Sequence, residues 1–332
     1  MTTNILGSGW KGMQLSQERI VFVIAAILFV AFSIFLNNFL NTDNILSLIQ
    51  NVSILGILGI GMAQAIIGRG IDLSIVATMA MSVAWCLDLI GQGVGVPLAL
   101  LIGLAMVVII GFLNGFLIAY VEIPAIFATL AMGTVVYGFG QFFLVPTDIT
   151  YLSESAGWLK QIGGGNAFGI PSPVIVFALL CLVTYLLLRY TKPGRYLYAM
   201  GDNPMAARVA GIPTRPMTVF QYIYASVVGY VAGIVTATAV DSMSTRVVNS
   251  TLVYDVILVA VIGGVGLSGG KGGVRNVVVG TLLIGILLNG MTIMDMPYTV
   301  QNIVKGLILL VAIIVDSILN PRDEQTAQQG DI

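Results

Sequence analysis

The side chains that could do chemistry are few in this sequence, and most of them are carboxylates or amides in apolar surroundings. The chain of 332 residues contains no histidine and only two cysteines, Cys86 and Cys181. Without an imidazole there is no histidine general base and no Ser-His-Asp triad. Both cysteines lie in apolar runs, as small buried cysteines do. The sequence therefore predicts no catalytic residues, no metal site and no cofactor.

Six other polar residues lie inside apolar segments or at their edges, where a polar group is costly unless it is bonded. An ionisable residue in such a segment is by default a functional candidate. An amide there either bridges two helices or lines the path of a polar solute, and the sequence leaves both interpretations open. The candidates for gating or for lining a solute path are Asp72, Ser74, Asn114, Thr129, Asp255 and Asn289.

Two of the carboxylates allow a sharper expectation. Asp72 stands where the third apolar segment starts, so it either caps a helix N-terminus or shapes a hinge or pathway together with Ser74. Asp255 lies inside the eighth segment, and we expect Lys305 of the last segment to be its partner. Pairing lowers the cost of burying either charge. A proton- or sodium-coupled carrier would usually show several such deep carboxylates, whereas here only Asp255 is convincing.

A glycine-rich stretch, residues 264–272, imitates two nucleotide-binding motifs. Its first six residues have the G-x-G-x-x-G spacing, but they end an apolar segment instead of following a strand in a βαβ unit. The stretch also lacks the first glycine and the Ser/Thr of a P-loop around Lys271. We therefore expect no nucleotide site, and we expect these glycines to allow close helix packing or local unwinding.

The elements that must position these residues are membrane spans. Hydrophobic residues make up 58% of the chain, charged residues only 9%, and the mean hydropathy is +1.00. Soluble domains carry about 25% charged residues, so most of this surface must face lipid. A spanning helix needs about 20 apolar residues. The predicted spans are 20–36, 45–67, 71–90, 97–119, 124–145, 171–188, 218–240, 248–267, 275–294 and 298–319.

The first apolar run follows Lys11 and Arg19 as a signal peptide would, but no small-x-small cleavage site follows it. We interpret it as a retained span. Ten spans with the N-terminus inside put most of the 14 Lys and Arg residues on the cytoplasmic side, as the positive-inside rule requires. The eleven cytoplasmic residues are Lys11, Arg19, Arg69, Arg189, Lys192, Arg195, Arg208, Arg215, Lys271, Arg275 and Arg322.

Two polar connections are long, an outer one at 146–170 and an inner basic one at 189–217. In the inner connection Asn203 and Pro204 have the pattern of a helix N-terminus, and Gly211 that of a C-terminal stop. This short helix is either a plain connector or a docking helix for a cytosolic partner. We favour docking, because adjacent spans need far shorter connections. The predicted docking residues are Asp202, Asn203, Ala206, Ala207, Arg208, Ala210 and Gly211.

Five stretches, at 70–74, 123–130, 194–212, 255–264 and 267–272, occur together and in order over about 200 residues. They resemble the permease subunit of ATP-binding-cassette importers of the ribose, xylose and galactose type. The family commonly has Val-Gly after Asp-Leu-Ser and Glu-Leu before the membrane aspartate, where this chain has Ile75-Val76 and Val253-Tyr254, so the resemblance implies the class and not the sugar.

The resemblance implies partners that the residues alone do not. A cytosolic ATPase would dock on the loop that contains residues 203–211, and a periplasmic binding protein would deliver a monosaccharide. Two copies of the permease, or two similar permeases, would form the pore. The pore would alternate between outward- and inward-facing states under the bias of ATP binding and hydrolysis.

We therefore expect an all-α polytopic protein of about ten spans with both termini inside, in the inner membrane of a bacterium. Residues 1–332 would form a single permease domain, with a cytoplasmic N-terminus at 1–19, a coupling loop at 189–217 and a tail at 320–332. The function would be ATP-driven import of a pentose, a hexose or a related polyol. One alternative is an ion-coupled secondary transporter. Another is a membrane-embedded enzyme, but the sequence lacks a cluster of reactive side chains.

Overall fold

A computed structural model describes residues 17–167 and 169–319 and is almost entirely helical. Residues 17–19 of the predicted cytoplasmic N-terminus (1–19) begin the first helix, and the rest of it and the predicted tail at 320–332 lie outside the described residues. Helices named in chain order are α1 Gln17–Phe35, α2 Thr42–Ile67, α3 Ile75–Gly91, α4 Val96–Ala119, α5 Ala125–Phe139, α6 Lys160–Gly163, α7 Ser172–Tyr190, α8 Lys192–Asp202, α9 Pro204–Val209, α10 Thr214–Ala239, α11 Leu252–Ile262, α12 Val274–Ile293 and α13 Tyr298–Leu319.

A helix lies at each of the ten predicted spans. Eight of these helices are long and apolar enough to cross a membrane, with α5 counted together with its π-helical continuation Gly140–Leu144. The other two, α3 and α11, are shorter than predicted. Both adjoin a stretch where the helix unwinds, at 68–74 and at 263–273. The predicted limits of 71–90 and 248–267 are therefore too wide, because 71–74 and 263–267 are not helical. The unwinding at 263–273 agrees with one of the two expectations for the glycines of 264–272.

Backbone hydrogen bonds close both unwound stretches. At the end of α2, the N–H of Gly70 donates to the carbonyl of Ala65, which satisfies one of the last orphan carbonyls of the helix. At the end of α11, Val265 donates in the same way to Ala260, and Gly264 has φ +99°, a conformation that favours glycine. We name residues 68–74 the first break and residues 263–273 the second break.

The core is formed around α2 and α10. In each of these helices 61% of the spanning window is buried, against 11% in α1 and α13, which lie at the outside of the bundle. Close packing of α4 on α10 depends on glycine. A methyl group at Gly111 would lie 2.7 Å from the Cα of Ile223, and one at Gly115 would overlap the backbone of Val219. Small residues allow the same close approach in many membrane bundles.

Two short antiparallel strand pairs lie at one end of the bundle. Strand β1 (Ile149–Tyr151) pairs with β4 (Ser242–Ser244), and β2 (Asn166–Ala167) pairs with β3 (Ile170–Pro171). Lys160 contacts Asp241 at 2.7 Å and Arg246 contacts Asp148 at 2.5 Å. The hydrogen bond to that carboxylate raises the pKa of the Arg246 guanidinium. These contacts join the 146–170 connection to the segment after α10.

The inner connection contains two helices, of which the sequence predicted one. The predicted helix, α9, is confirmed: the Asn203 side chain accepts a bond from the backbone N–H of Ala206, and Gly211 has φ +78° in a Schellman-type end. The second helix, α8, was missed. Because α10 runs from α9 to β4, these two elements lie at opposite ends of the bundle. We call the first end the α9 face.

Candidate functional site

The first break is organised by a carboxylate. Asp72 Oδ1 accepts hydrogen bonds from the backbone N–H of Ser74 at 2.9 Å and from the Ser74 hydroxyl at 2.6 Å. Ser74 occupies the N-cap position of α3 but makes no capping bond with its own side chain. The carboxylate therefore closes the turn that precedes α3 and lies where the helix dipole favours negative charge.

Two further candidates join this turn from neighbouring helices. Asn114 of α4 donates through Nδ2 to the Ser74 hydroxyl at 2.8 Å. Thr129 of α5 accepts a bond from the backbone N–H of Leu73 at 3.1 Å and donates to the carbonyl of Ala125 at 2.8 Å. Four of the six sequence candidates thus form one network, which ties α4 and α5 to the turn between α2 and α3.

None of these four side chains faces an open surface. Asp72, Ser74, Asn114 and Thr129 are all 0% exposed in the single chain. A solute could touch them only after the helices around the first break had separated. Because these side chains are buried in this conformation, they suit a gate or a hinge. They do not line a path that is permanently open.

The network carries polar atoms that have no hydrogen-bond partner among the described residues. A buried polar atom without a partner costs about 1–3 kcal/mol, and such atoms are rare enough to call for an explanation. Those around the first break belong to α2, α3, α4, α10 and the break itself. They are Gln64 Nε2 and Oε1, Asp72 Oδ2, Thr78 Oγ1, Asn114 Oδ1, Gln221 Oε1, the Tyr222 hydroxyl and Ser226 Oγ.

The remaining two candidates lie elsewhere. The predicted pairing of Asp255 with Lys305 is confirmed, with Nζ 2.8 Å from Oδ1 and 2.9 Å from Oδ2. The lysine also donates to Thr251 at 3.1 Å and lies 5.7 Å from the ring centroid of Tyr298. The pair joins α11 to α13 and is almost fully buried, with side chains 7% and 11% exposed.

Asn289 makes a contact that the sequence did not predict. It exchanges two hydrogen bonds with Asn44, one at 2.8 Å and one at 3.1 Å. The pair joins α12 to the first turn of α2. Of the two interpretations left open for a membrane amide, this geometry matches a bridge between helices.

The exposed side of α9 is more apolar than the predicted docking set indicates. Met205 and Val209, four residues apart on one helix face, are 47% and 89% exposed. Ala207 of the predicted set is 3% exposed and faces the bundle, so it presents nothing to a partner. The signal available in the sequence was an i, i+4 apolar pair on a short helix predicted to lie at the surface.

Backbone contacts connect the end of α8, which leads into α9, to the last residue of α2 and to the second break. The N–H of Gly270 in the second break donates to the carbonyl of Ile67, the last residue of α2, at 2.9 Å. Gly201, near the end of α8, packs so closely here that a methyl group would overlap the carbonyl of Ile67. A displacement of α8 and α9 would therefore move the backbone at the end of α2 and in the second break.

This combination of a surface helix, two unwound stretches and a membrane bundle is typical of a transport subunit, and comparison with known proteins agrees. Residues 44–313 match the family model described as "Branched-chain amino acid transport system / permease component". The chain belongs to this permease family. No solved structure matches the chain.

Relatives with described functions extend the similarity over nearly the whole permease. The ribose import permease of Bacillus subtilis strain 168 is 34% identical over 290 residues, which is 87% of this chain and 89% of that protein. The ribose import permease of Haemophilus influenzae is 31% identical, covering 92% and 94% of the two chains. The L-arabinose transport system permease of Escherichia coli K12 is also 31% identical, covering 93% and 95%.

Proposed function

We propose that this permease is the membrane-spanning subunit of an ATP-binding-cassette importer for a monosaccharide. The observation that carries the proposal is the end-to-end similarity to ribose and arabinose permeases, which covers 87–93% of this chain at 31–34% identity. The family description also mentions branched-chain amino acids. The full-length relatives favour a sugar, because those compared above are permeases for ribose or L-arabinose and cover 87–93% of the chain.

In this proposal an ATPase binds at α9. Met205 and Val209 supply an exposed apolar contact, and Arg208 supplies a charge beside them. The other residues of the predicted docking set (Asp202, Asn203, Ala206, Ala210 and Gly211) shape the helix ends or the surrounding surface. The α9 face is then cytoplasmic, both termini lie on the cytoplasmic side, and a periplasmic binding protein meets the end that carries β1 and β4.

The network around the first break would serve as the gate. Movement of α9 would reach Ile67 through Gly201 and Gly270 and would disturb the turn held by Asp72 and Ser74. Asn114 and Thr129 would let α4 and α5 follow that movement. A second permease copy would complete the pore, the whole chain would act as one permease domain, and the assembly would reside in the inner membrane of a bacterium.

The proposal is tested by reconstitution. The chain is purified with its ATPase and binding protein, placed in vesicles and offered labelled ribose, arabinose, galactose or leucine with ATP. We expect uptake of a sugar that stops with an ATPase variant unable to hydrolyse ATP. Uptake of leucine and of none of the sugars would show that the transported solute is an amino acid. Uptake driven by an ion gradient in the absence of the ATPase would support a secondary transporter instead.

A further inference from the structure

A cavity of about 400 Å³ opens at the α9 face, where three spanning helices begin or end. It lies between the start of α1, the end of α7 and the start of α12, with Tyr198 of α8 on one side. Tyr198 donates to the carbonyl of Gly272 at 2.8 Å, and Gln17 of α1 donates to the carbonyls of Val261 and Ile262. These contacts fix the walls of the cavity beside the second break.

The cavity lies at the level of the lipid headgroups, because the spans that form it begin or end there. Helices α1 and α7 face lipid, with only 11% and 17% of their spanning windows buried. Leu182 and Leu186 of α7 precede Arg189 by about two turns and one turn and are 53% and 45% exposed. Phe22 of α1, one turn after Glu18, is 55% exposed. The helix faces that carry Arg189 and Glu18 therefore continue into the bilayer as apolar surface.

Two arginines line the cavity, and neither is paired with a carboxylate of the described residues. Arg189 donates to the Tyr185 hydroxyl at 3.0 Å, and the central carbon of its guanidinium lies 5.8 Å from the ring centroids of Tyr185 and Tyr190. That bond uses one of five N–H donors and leaves the charge in place. The Arg275 side chain forms no hydrogen bond or ion pair with any described residue. Both arginines are exposed and can reach a ligand.

The lining of the cavity has a net positive charge. Glu18 is the one acidic residue that the described part of the chain contributes to it, and two guanidinium groups outweigh one carboxylate. Guanidinium groups bind phosphate well because their paired donors match its oxygens. The first backbone N–H groups of α12 add further donors, since the N-cap residue, Gly273, has no side chain to occupy them.

From a positive cavity that continues into lipid-facing apolar walls, we infer that this site binds the headgroup of an anionic phospholipid. The phosphate lies at Arg189 and Arg275, and the acyl chains follow the exposed faces of α1 and α7. Phosphatidylglycerol fits best, because its glycerol hydroxyls can donate to Glu18. The volume is within the roughly 300–1,000 Å³ of small-ligand sites. Basic pockets between spanning helices bind anionic headgroups in the same way.

A lipid bound here joins the end of α7 to the start of α12, next to the second break. It therefore restrains the helix that follows the break and stabilises the folded chain. The inference needs only that the chain spans a membrane. It holds for any transported solute, so a failure of the sugar proposal would leave it standing.

The test is a lipid titration of the purified, delipidated full chain in a mild nonionic detergent, with bound lipid counted by native mass spectrometry. Phosphatidylglycerol is compared with phosphatidylcholine of the same acyl chains, and inorganic phosphate and glycerol phosphate are soluble competitors. We expect phosphatidylglycerol to bind about tenfold more tightly than phosphatidylcholine, as a gain of charge-assisted hydrogen bonds predicts. Equal binding of the two lipids would overturn the inference. Displacement of the lipid by an equal concentration of either soluble phosphate would also overturn it, because the site would then suit a soluble anion.

Variants locate the binding. Arg189→Gln combined with Arg275→Gln should lower the affinity for phosphatidylglycerol about tenfold, to the level of phosphatidylcholine. Lys192→Gln combined with Arg195→Gln is the matched control. It removes two exposed cations of α8 at the same end of the bundle but outside the cavity, and should leave the preference intact.

If the cavity variant fails to fold, Arg275→Gln alone replaces it, since that side chain makes no hydrogen bond or ion pair within the described part of the chain. It should weaken phosphatidylglycerol at least threefold and leave phosphatidylcholine unchanged. A retained preference in the cavity variant, or an equal loss in the α8 control, would refute the location.

Discussion

The buried ion pair between α11 and α13 supports a quantitative prediction. Lys305 and Asp255 are joined by two contacts, at 2.8 and 2.9 Å, with side chains only 7% and 11% exposed. Removing one partner of such a pair leaves an uncompensated buried charge and costs about 3–5 kcal/mol. Lys305→Met should therefore lower the free energy of unfolding by about that amount, because the carboxylate of Asp255 loses both contacts.

The double variant Asp255→Asn with Lys305→Met should recover most of this loss, since it leaves no buried charge. The resulting coupling free energy should be at least about 2 kcal/mol. The assay is equilibrium unfolding of the purified chain in bicelles, with wild type, both single variants and the double variant under one condition.

The exposed pair of Lys160 and Asp241 provides the matched control. Its side chains are 48% and 50% exposed, and pairs of that kind contribute about 0–1 kcal/mol. Lys160→Met should therefore have little effect. Strictly additive losses for the Asp255 and Lys305 variants, or an equal loss at Lys160, would refute the reasoning.

Three further changes test the network and α9. Asn114→Ala should cost about 1–3 kcal/mol of stability and reduce uptake, because the tie between α4 and the first break is lost; unchanged uptake would exclude a gating role. Gly115→Val should cost about 1–3 kcal/mol or more by forcing α4 away from Val219; an unchanged unfolding midpoint would contradict that packing. Arg208→Glu combined with Gly211→Val should abolish uptake and ATPase coupling while immunoblots show the subunit still in the membrane; normal coupling would exclude docking at α9.

The helices could largely be predicted from the sequence, because lipid requires long apolar runs and the runs here are separated by polar connections. The second break was signalled by the glycines of 264–272, for which local unwinding was one of two expectations. The first break was signalled only by Asp72 and Ser74, which did not give its limits. Helix α8 was missed because Lys192–Asp202 is too short and too mixed to be a span. Its signals are the Thr191 cap, whose hydroxyl accepts from the N–H of Gly194, and Leu197 and Met200, which lie three residues apart and are both buried.

The contacts of the candidate residues also divide into those that the sequence could predict and those that it could not. The pairing of Asp255 with Lys305 was predictable because a deep charge in a membrane segment needs a partner of opposite sign. The bond between Asn289 and Asn44 was not, because Asn44 lies at the start of a helix, where polar residues are common. Nor could the sequence bring Gln221 and Tyr222 to the first break, since their place there depends on how α10 packs against α2.

The most direct test of the account is the position of the ATPase. Cys86 and Cys181 are replaced by serine, and a single cysteine is introduced either at Val209 on α9 or at Tyr151 on β1, which are 89% and 70% exposed. A cysteine-to-amine cross-linker is then applied to the assembled complex in membranes. The account predicts that the ATPase is captured from position 209 and not from position 151. Capture from 151, or no capture from 209 in a complex that transports, would contradict it.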